Sequence, residues 1–193
     1  MKNILKNRRA LSTVVTTLII LVVSVLLAGV VTYFAINIVS TSVQQESLNL
    51  TYQHVWFSTT DQLPEAAIMI TNTGGRDVVL QNIAVRGQAV PTADVYYVTP
   101  TTLADLTYVS QAIPGTYVVP TAIGTGLTFK NAISGPITLT SGSTLAVYIF
   151  SDAAATPPFY PGSVTVNDVG LTIAISVFTA QATYIKETNV NAV

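Results

Sequence analysis

The residues that could do acid–base or metal chemistry are few and far apart. The chain has 193 residues, one histidine and no cysteine. A nucleophile–histidine–acid arrangement would have to use His54, which stands in a strand-like stretch beside Trp56, with no nucleophile motif in the chain. We interpret the acids as solvated turn and edge residues, because they are scattered singly: Glu46, Asp61, Glu65, Asp77, Asp94, Asp105, Asp152 and Asp168. We therefore expect a protein that is not an enzyme and that uses no metal or other cofactor.

One modification signal is present. Asn49-Leu50-Thr51 fits the acceptor pattern for N-linked glycans, although such triplets also arise by chance. The triplet lies where an apolar segment gives way to a mixed sequence, so its asparagine is a candidate glycan carrier. The strand aromatics are interpreted mainly as core packing, with an aromatic ligand surface as the alternative: Trp56, Phe57, Tyr96, Tyr97, Tyr148, Phe150 and Phe178.

Charge is scarce and unevenly placed. Only 9% of the residues are charged, whereas 50% are hydrophobic. Lys2, Lys6, Arg8 and Arg9 give the first nine residues a charge of +4, and four further basic residues against nine acids leave the rest at −5. No basic patch remains for nucleic acid, which we do not expect as a partner. Without cysteine, the protein has to gain its stability from packing or assembly.

A long apolar segment follows the basic leader. Residues 14–39 make 26 mostly aliphatic positions, and no charge occurs from Ala10 to Gln45. As a helix this run would be roughly 39 Å long at about 1.5 Å per residue, which exceeds the bilayer core of about 30 Å. It is longer than the roughly 7–15 apolar residues of a secretory signal, and no small-residue cleavage site closes it. The segment can therefore span a membrane.

Small residues of this helix fall on one side. At about 100° per residue, a sector roughly 60° wide contains Thr13, Thr17, Ser24, Ala28, Ala35 and Ser42. Such a stripe lets helix backbones approach closely in apolar surroundings. We interpret these residues as a helix-packing face, while noting that small residues are common enough here for a stripe to arise by chance.

Beyond Glu46 the pattern changes to period two and short apolar runs separated by turn residues. We predict two strands within 65–87, joined by a turn at 72–75 whose glycines supply positive φ. Further predicted strands cover residues 53–58, 94–98, 115–119, 127–131, 136–140, 143–151 and 163–167, and a long, bent strand covers 170–187. This spacing, without helical segments between the strands, favours an antiparallel sandwich.

Two stretches carry a family resemblance. "KNRRALSTVVTTLIILVVSVLLAGVVTYFAINIVSTSV" resembles the class III signal peptide and N-terminal helix of archaeal type IV pilins. "AAIMITNTGGRDVVLQNIAVRG" resembles the first hairpin of the Ig-like heads of that family. The resemblance implies an α+β chain: a leader at 1–10, one long hydrophobic helix at 11–50, and an antiparallel Ig-like β-sandwich at 51–193.

The resemblance also implies processing. A membrane prepilin peptidase would cut after Arg8, Arg9 and Ala10, so that Leu11 becomes the first mature residue. Bacterial pilins carry a glutamate at the fifth mature position, where this chain has Val15. Archaeal members often lack that acid, and the junction lacks the glycine usual in archaellins. These departures favour an archaeal adhesive pilin over an archaellin.

The expected function is that of a major structural subunit of an archaeal type IV adhesion pilus, located in an extracellular filament after a precursor stage in the cytoplasmic membrane. Its implied partners are identical subunits in a helical homopolymer, the prepilin peptidase and pilus assembly machinery, and membrane lipid before assembly. The alternatives are an archaellin-type filament subunit, a minor pilin and a membrane-anchored surface binding domain.

Overall fold

The computed structural model describes residues 2–43, 45–111, 116–151 and 163–193. The chain divides into two compact units, Met1–Gln44 and Gln45–Val193. The first is a single helix, α1 (Lys2–Val43), and the second is a β domain. The predicted α+β class is confirmed. The helix ends at Val43, and strand β1 begins at Leu48. Both positions come before the predicted boundary at residue 50.

The helix has a simple physical basis. No proline interrupts Lys2–Val43, and Gly29 is its only glycine. Valine, isoleucine and threonine lower helix propensity in water, but a helix satisfies its own backbone hydrogen bonds, as an apolar environment requires. The helix is continuous across the predicted cleavage point. Cleavage there remains a prediction.

The described part of the β domain, which leaves out residues 112–115 and 152–162, contains ten strands. They are β1 (Leu48–Phe57), β2 (Pro64–Asn72), β3 (Val78–Val85), β4 (Gln88–Ala89), β5 (Val95–Val98), β6 (Lys130–Asn131), β7 (Ile137–Leu139), β8 (Thr144–Phe150), β9 (Thr172–Thr179) and β10 (Thr183–Ala192). Short 3-10 helices occupy Thr92–Asp94, Thr121–Ile123, Ala132–Ser134 and Val166–Asp168.

The strands follow one curled path of hydrogen bonds. Its order is β4-β3-β9-β10-β1-β2-β8-β5-β6, with β7 beside β3. Among the described strands the pairings are antiparallel except that of β1 with β10, where Val55 aligns with Val190. Strand β10 pairs with β9 along its first part and with β1 near its end, which joins the two parts of the sheet. The predicted Ig-like sandwich of two separate sheets is therefore not confirmed.

One hydrophobic cluster lies on the inner face of both parts of this sheet. Strands β2 and β8 contribute Ile68 and Val147, and strands β3 and β9 contribute Val85 and Ile175, all fully buried. The opposite face of β2 and β8 is also buried, beneath the segment that follows β5. The side chains on this outer face form the second cluster. Burial on both faces explains why these two strands are nearly continuous apolar runs without alternation.

A bulge in β1 sorts its side chains between the two clusters. Leu50 faces the inner cluster, and the register then shifts between Thr51 and His54, where Tyr52 has a φ of 50°. The extra residue reverses the alternation. As a result Val55 also faces the inner cluster, whereas Trp56 joins the second cluster on the outer face.

The predicted hairpin within residues 65–87 is wrong. Strand β2 pairs with β1 and β8, whereas β3 pairs with β4, β7 and β9, so the turn at 72–75 crosses between two parts of the sheet. Gly74 does not have the positive φ predicted for it. The glycine is needed for space, because a Cβ would lie 2.7 Å from the backbone oxygen of Gln45.

Asn72 holds that crossing in place. Its side chain is fully buried, and its Nδ2 donates to the backbone oxygens of Arg76 at 2.8 Å and Leu139 at 3.0 Å. Its Oδ1 accepts the amide of Gly74 at 3.0 Å. One side chain thus ties the end of β2 to β7 across the crossing.

Three further strand predictions are wrong. Residues 116–119 form no strand, because Tyr117 and Val119 pack on the second cluster instead, while residue 115 lies outside the described residues. Within 163–167, Thr165 caps the short helix that begins at Val166. The long strand at 170–187 is the hairpin β9–β10, whose turn is stabilised by the Thr179 hydroxyl accepting the Ala182 amide at 3.0 Å.

Candidate functional site

The helix is the first candidate site. Leu11–Thr41 is long and apolar enough to cross a membrane, with a mean hydropathy of 2.9, although a signal sequence near an N-terminus would meet the same criterion. None of its 31 residues is buried by the chain itself; Leu26, Val30 and Phe34 are each about 65% exposed. An exposed apolar surface of this extent is unfavourable in water.

Two hydroxyl groups of the predicted packing stripe bond within the helix. Thr17 Oγ1 donates to the Val14 oxygen at 2.9 Å, and Ser24 Oγ donates to the Ile20 oxygen at 2.7 Å. Thr32 bonds in the same way to Ala28, a stripe residue, at 2.7 Å. These bonds remove the cost of placing a free hydroxyl in an apolar environment. The stripe can therefore contact lipid or another helix.

Other predicted helix-packing and cleavage residues are placed as follows. Leu11 is 68% exposed within α1. The backbones of Arg8, Arg9, Ala10 and Ser42 are helical, while their side chains lie outside the described part. Helix packing and cleavage at these positions stay predictions.

Asn49, the candidate glycan carrier, lies in β1 and not in a loop. Its side chain is exposed, whereas Leu48 and Leu50 on either side are buried. The alternation of the strand thus turns this amide away from the core. Glycosylation itself stays a prediction.

His54 belongs to a polar and aromatic cluster over the outer face of the sheet. Its ring stacks on Trp56 with centroids 5.0 Å apart, and its Nε2 lies 2.7 Å from Asp105 Oδ1. Tyr108 meets the edge of Trp56 at 6.3 Å. Asp105 and Tyr108 come from residues 104–111, an irregular segment that we call the strap.

Carboxylates hold the strap to the sheet. Glu65, at the start of β2, is fully buried and accepts the Val109 amide through both oxygens, at 3.1 and 3.3 Å. Asp61, just before β2, accepts the Tyr108 hydroxyl at 2.6 Å and the Gln111 amide at 3.3 Å. In a sheet, the backbone amides of such a segment would pair with a neighbouring strand. In the strap they bond to side chains.

Amide and phenol groups complete this attachment. Gln111 Nε2 donates to the Pro64 oxygen at 3.1 Å, and the amide of Ser151 donates to Gln111 Oε1 at 2.8 Å. The hydroxyl of the buried Tyr148 donates to the Thr107 oxygen at 3.2 Å. The strap is thus bonded along its length, with Leu106 and Val109 as its apolar anchors in the second cluster.

The electrostatics of this cluster are dominated by burial. Desolvation raises the pKa of Glu65 well above its usual range; the amide of Val109 and the Gln111 side chain oppose the rise, and Asp61 adds to it. Burial also raises the pKa values of Tyr108 and Tyr148, so both phenols stay neutral.

The sequence interpretation missed this role of Glu65. The sequence pattern predicts a solvated acid at Glu65, but this residue is buried and aligns with Trp56 on one side and Phe150 on the other. The available signal was its position as the first charge before the run AAIMI, in a strand buried on both faces. Asp61 likewise contacts the strap through Tyr108, and Asp105 of the strap pairs with His54. Sequence spacing alone does not reveal either contact.

A second acid is also structural. Asp168 accepts the Thr165 amide at 2.8 Å and lies 3.0 Å from the Arg86 guanidinium. The Thr165 amide, followed by the Thr165 hydroxyl and Arg86, lowers its pKa against the opposing effect of burial. In residues 2–43, 45–111, 116–151 and 163–193, no three histidine or acidic side chains are grouped so as to hold a metal ion.

Most of the strand aromatics pack inside the domain. Trp56, Phe57, Tyr148 and Phe150 are buried, whereas Phe178 is 36% exposed. Tyr96 and Tyr97 are partly buried and pack against the second and inner clusters respectively. Packing therefore accounts for most of these rings.

The comparisons with known proteins are sparse. No protein-family model and no curated protein sequence matches the chain. Among solved structures, the chain is similar to the ligand-binding region of serine-glutamate repeat protein A of Enterococcus faecium, with 11% identity and a TM-score of 0.31. The match covers 78% of this chain and 98% of that one. A likeness of this size carries no inference about ligands or assembly.

The order of elements along the chain, helix first and β domain second, bears on function. An apolar N-terminal helix followed by a β-rich domain fits a pilin-like arrangement and is compatible with a surface filament subunit. The helix suggests membrane anchoring or a signal sequence.

Proposed function

We propose that this chain is the major subunit of an archaeal type IV adhesion pilus, which polymerises through α1 into an extracellular filament. The observation that carries the proposal is the uniform exposure of the apolar surface of Leu11–Thr41 in the isolated chain. The family assignment rests on the sequence resemblance at residues 6–43.

The energetics of the helix favour this function. Burying one large aliphatic or aromatic side chain stabilises a protein by about 1.5–3 kcal/mol, so the exposed helix cannot remain in water. Lipid before assembly and a bundle of identical helices after assembly both supply apolar surroundings. Because hydrophobic burial differs little between them, close packing along the small-residue stripe decides which is preferred.

Cleavage supplies the direction of the process. The leader's four basic residues would hold the N-terminus on the cytoplasmic side before the cut, as the positive-inside rule predicts. If they stayed, a charge of +4 would have to enter an apolar helical core at high cost. Removal after Ala10 leaves only the new amine of Leu11. The subunit contacts would then be heterologous and would not close, which gives a filament.

A permanently anchored surface domain, including a minor pilin, is the second candidate, favoured by the length of the apolar segment alone. It would keep a single α1 in lipid and would behave as a monomer in detergent.

Substitution at the cleavage junction tests the proposal. Arg9→Glu or Ala10→Trp should block processing, and electron microscopy should then find no surface filaments while membrane-bound precursor accumulates. A charge-neutral change in the leader, Asn3→Gln, is the control and should leave filaments unchanged. Normal filaments built from uncleaved subunits would refute the proposal.

A further inference from the structure

The strap is attached to the sheet mainly by hydrogen bonds that involve side chains. Its contacts are made to carboxylates and neutral side chains, with Glu65 accepting the Val109 amide inside the domain. Glu65 is fully buried, and the neighbours that affect its ionisation are an amide, a glutamine and the acid Asp61, none of them a cation. A buried carboxylate without a cation is costly, whereas a neutral carboxyl group still has an oxygen that accepts the amide.

The groups around Glu65 reinforce this effect. Strand β8 presents the phenol of Tyr148, the turn before β2 presents Asp61, and the strap presents Asp105 and Tyr108. The base in this cluster, His54 on β1, is paired with Asp105. Loss of the Glu65 proton would therefore place a negative charge on Glu65 near that of Asp61. His54 would not offset it, because this histidine is paired with Asp105.

We propose that the strap is a pH-responsive cover, closed over the Trp56–Tyr148 face of the sheet while Glu65 is protonated and released when Glu65 ionises. Opening would move this carboxylate from the interior into water. The strap can open without unpairing a strand, because its attachments are made largely by side chains. Release would uncover Trp56, which meets the ring of Tyr108, and the hydroxyl end of Tyr148, which donates to Thr107; both side chains are buried in the closed domain.

The direction with pH follows from proton linkage. The closed form binds one more proton than the open form in the interval between the ordinary carboxyl pKa and the raised pKa of buried Glu65. Across that interval the equilibrium shifts toward the open form as pH rises, by at most about tenfold per pH unit for one proton. Acidic medium therefore keeps the strap closed. This device does not depend on whether α1 assembles into a filament.

The chain provides its own probe, because Trp56 is the only tryptophan. The full chain in detergent would be titrated from about pH 4 to about pH 9, a range that begins near the ordinary carboxyl pKa. Acrylamide quenching of Trp56 and hydrogen exchange of residues 104–111 would be measured together. We expect both to rise with pH through a transition with a slope of one proton, while β2 and β8 remain protected from exchange.

Variants separate Glu65 from other titrating groups. Glu65→Gln keeps an oxygen for the Val109 amide and should abolish the transition, leaving the strap protected throughout. Asp61→Asn should move the transition to lower pH, because the neighbouring negative charge is gone. His54→Gln should retain the pH transition in hydrogen exchange. This result would distinguish opening of the strap from a change in Trp56 fluorescence caused by the histidine ring. Glu187→Gln, at an exposed position of β10, should behave as wild type.

Three results would overturn the proposal. One is a pH transition that persists unchanged in Glu65→Gln, and another is strap exchange that does not vary with pH in the wild type. Loss of protection in β2 and β8 at the same pH as the strap would also overturn it, because the domain would then unfold as a whole.

Discussion

Replacement of Asn72 by alanine is expected to destabilise the β domain more than any single polar substitution on its surface. The side chain is fully buried and makes three hydrogen bonds, two donated by Nδ2 and one accepted by Oδ1. They join the end of β2, the following turn and strand β7. Alanine removes all three bonds and leaves the Leu139 oxygen in the interior without this donor.

The expected loss is about 2–4 kcal/mol, taking roughly 0.5–1.5 kcal/mol for each net hydrogen bond and allowing for a carbonyl left unsatisfied. For a domain of this size, such a loss lowers Tm by about 4–16 °C. Asn72→Asp should be at least as harmful near neutral pH. It keeps an acceptor for Gly74 but places a carboxylate against two backbone oxygens.

Urea unfolding of the full chain in detergent, followed by Trp56 fluorescence, measures this loss. Asn189→Ala is the matched control, because Asn189 is exposed and accepts only a surface hydrogen bond from Thr172 at 2.7 Å. Its effect should be within about 0.5 kcal/mol. A loss below about 0.5 kcal/mol for Asn72→Ala, equal to that of the control, would refute the role assigned to this side chain.

Other substitutions test separate parts of the structure. Gly74→Ala would place a Cβ 2.7 Å from a backbone oxygen, so urea denaturation should show a loss of about 1–3 kcal/mol; an unchanged midpoint would contradict the close packing. Asp168→Asn should lower stability near neutral pH, and the difference should vanish as pH falls through the lowered folded-state pKa of Asp168, since wild type then loses the same contribution; a difference independent of pH would count against it. Ala28→Leu should reduce the number of filaments seen by electron microscopy without changing domain stability, whereas normal filaments would remove the small-residue stripe from the account. Glycopeptide mass analysis should find a glycan on Asn49, and a bare asparagine in native material would end that prediction.

Features encoded by local patterns could be predicted from the sequence. The helix follows from a long run without charge or proline, and β2 and β8 follow from short apolar runs between turn residues. These patterns reflect burial of one segment against its surroundings, whatever the partner strand is. For that reason the α+β class was predictable.

Features set by distant contacts could not be predicted in the same way. The residues around 72–75 look like a hairpin turn, but β3 pairs with β7 and β9 and not with β2, and Asn72 bonds to Leu139 in β7, so the chain crosses the sheet there. Residues 116–119 have a strand-like composition, but they use their side chains to cover the second cluster. The strap cluster arises because Glu65 and Val109 are 44 positions apart and meet only after folding.

The N-terminal sequence of subunits from purified surface filaments tests the central claim most directly. We expect filaments whose subunits begin at Leu11, with the ten-residue leader absent and α1 retained from there on. Subunits that begin at Met1 would contradict cleavage as the step that permits assembly. The same contradiction would follow if the chain occurred only as an uncleaved, monomeric membrane protein.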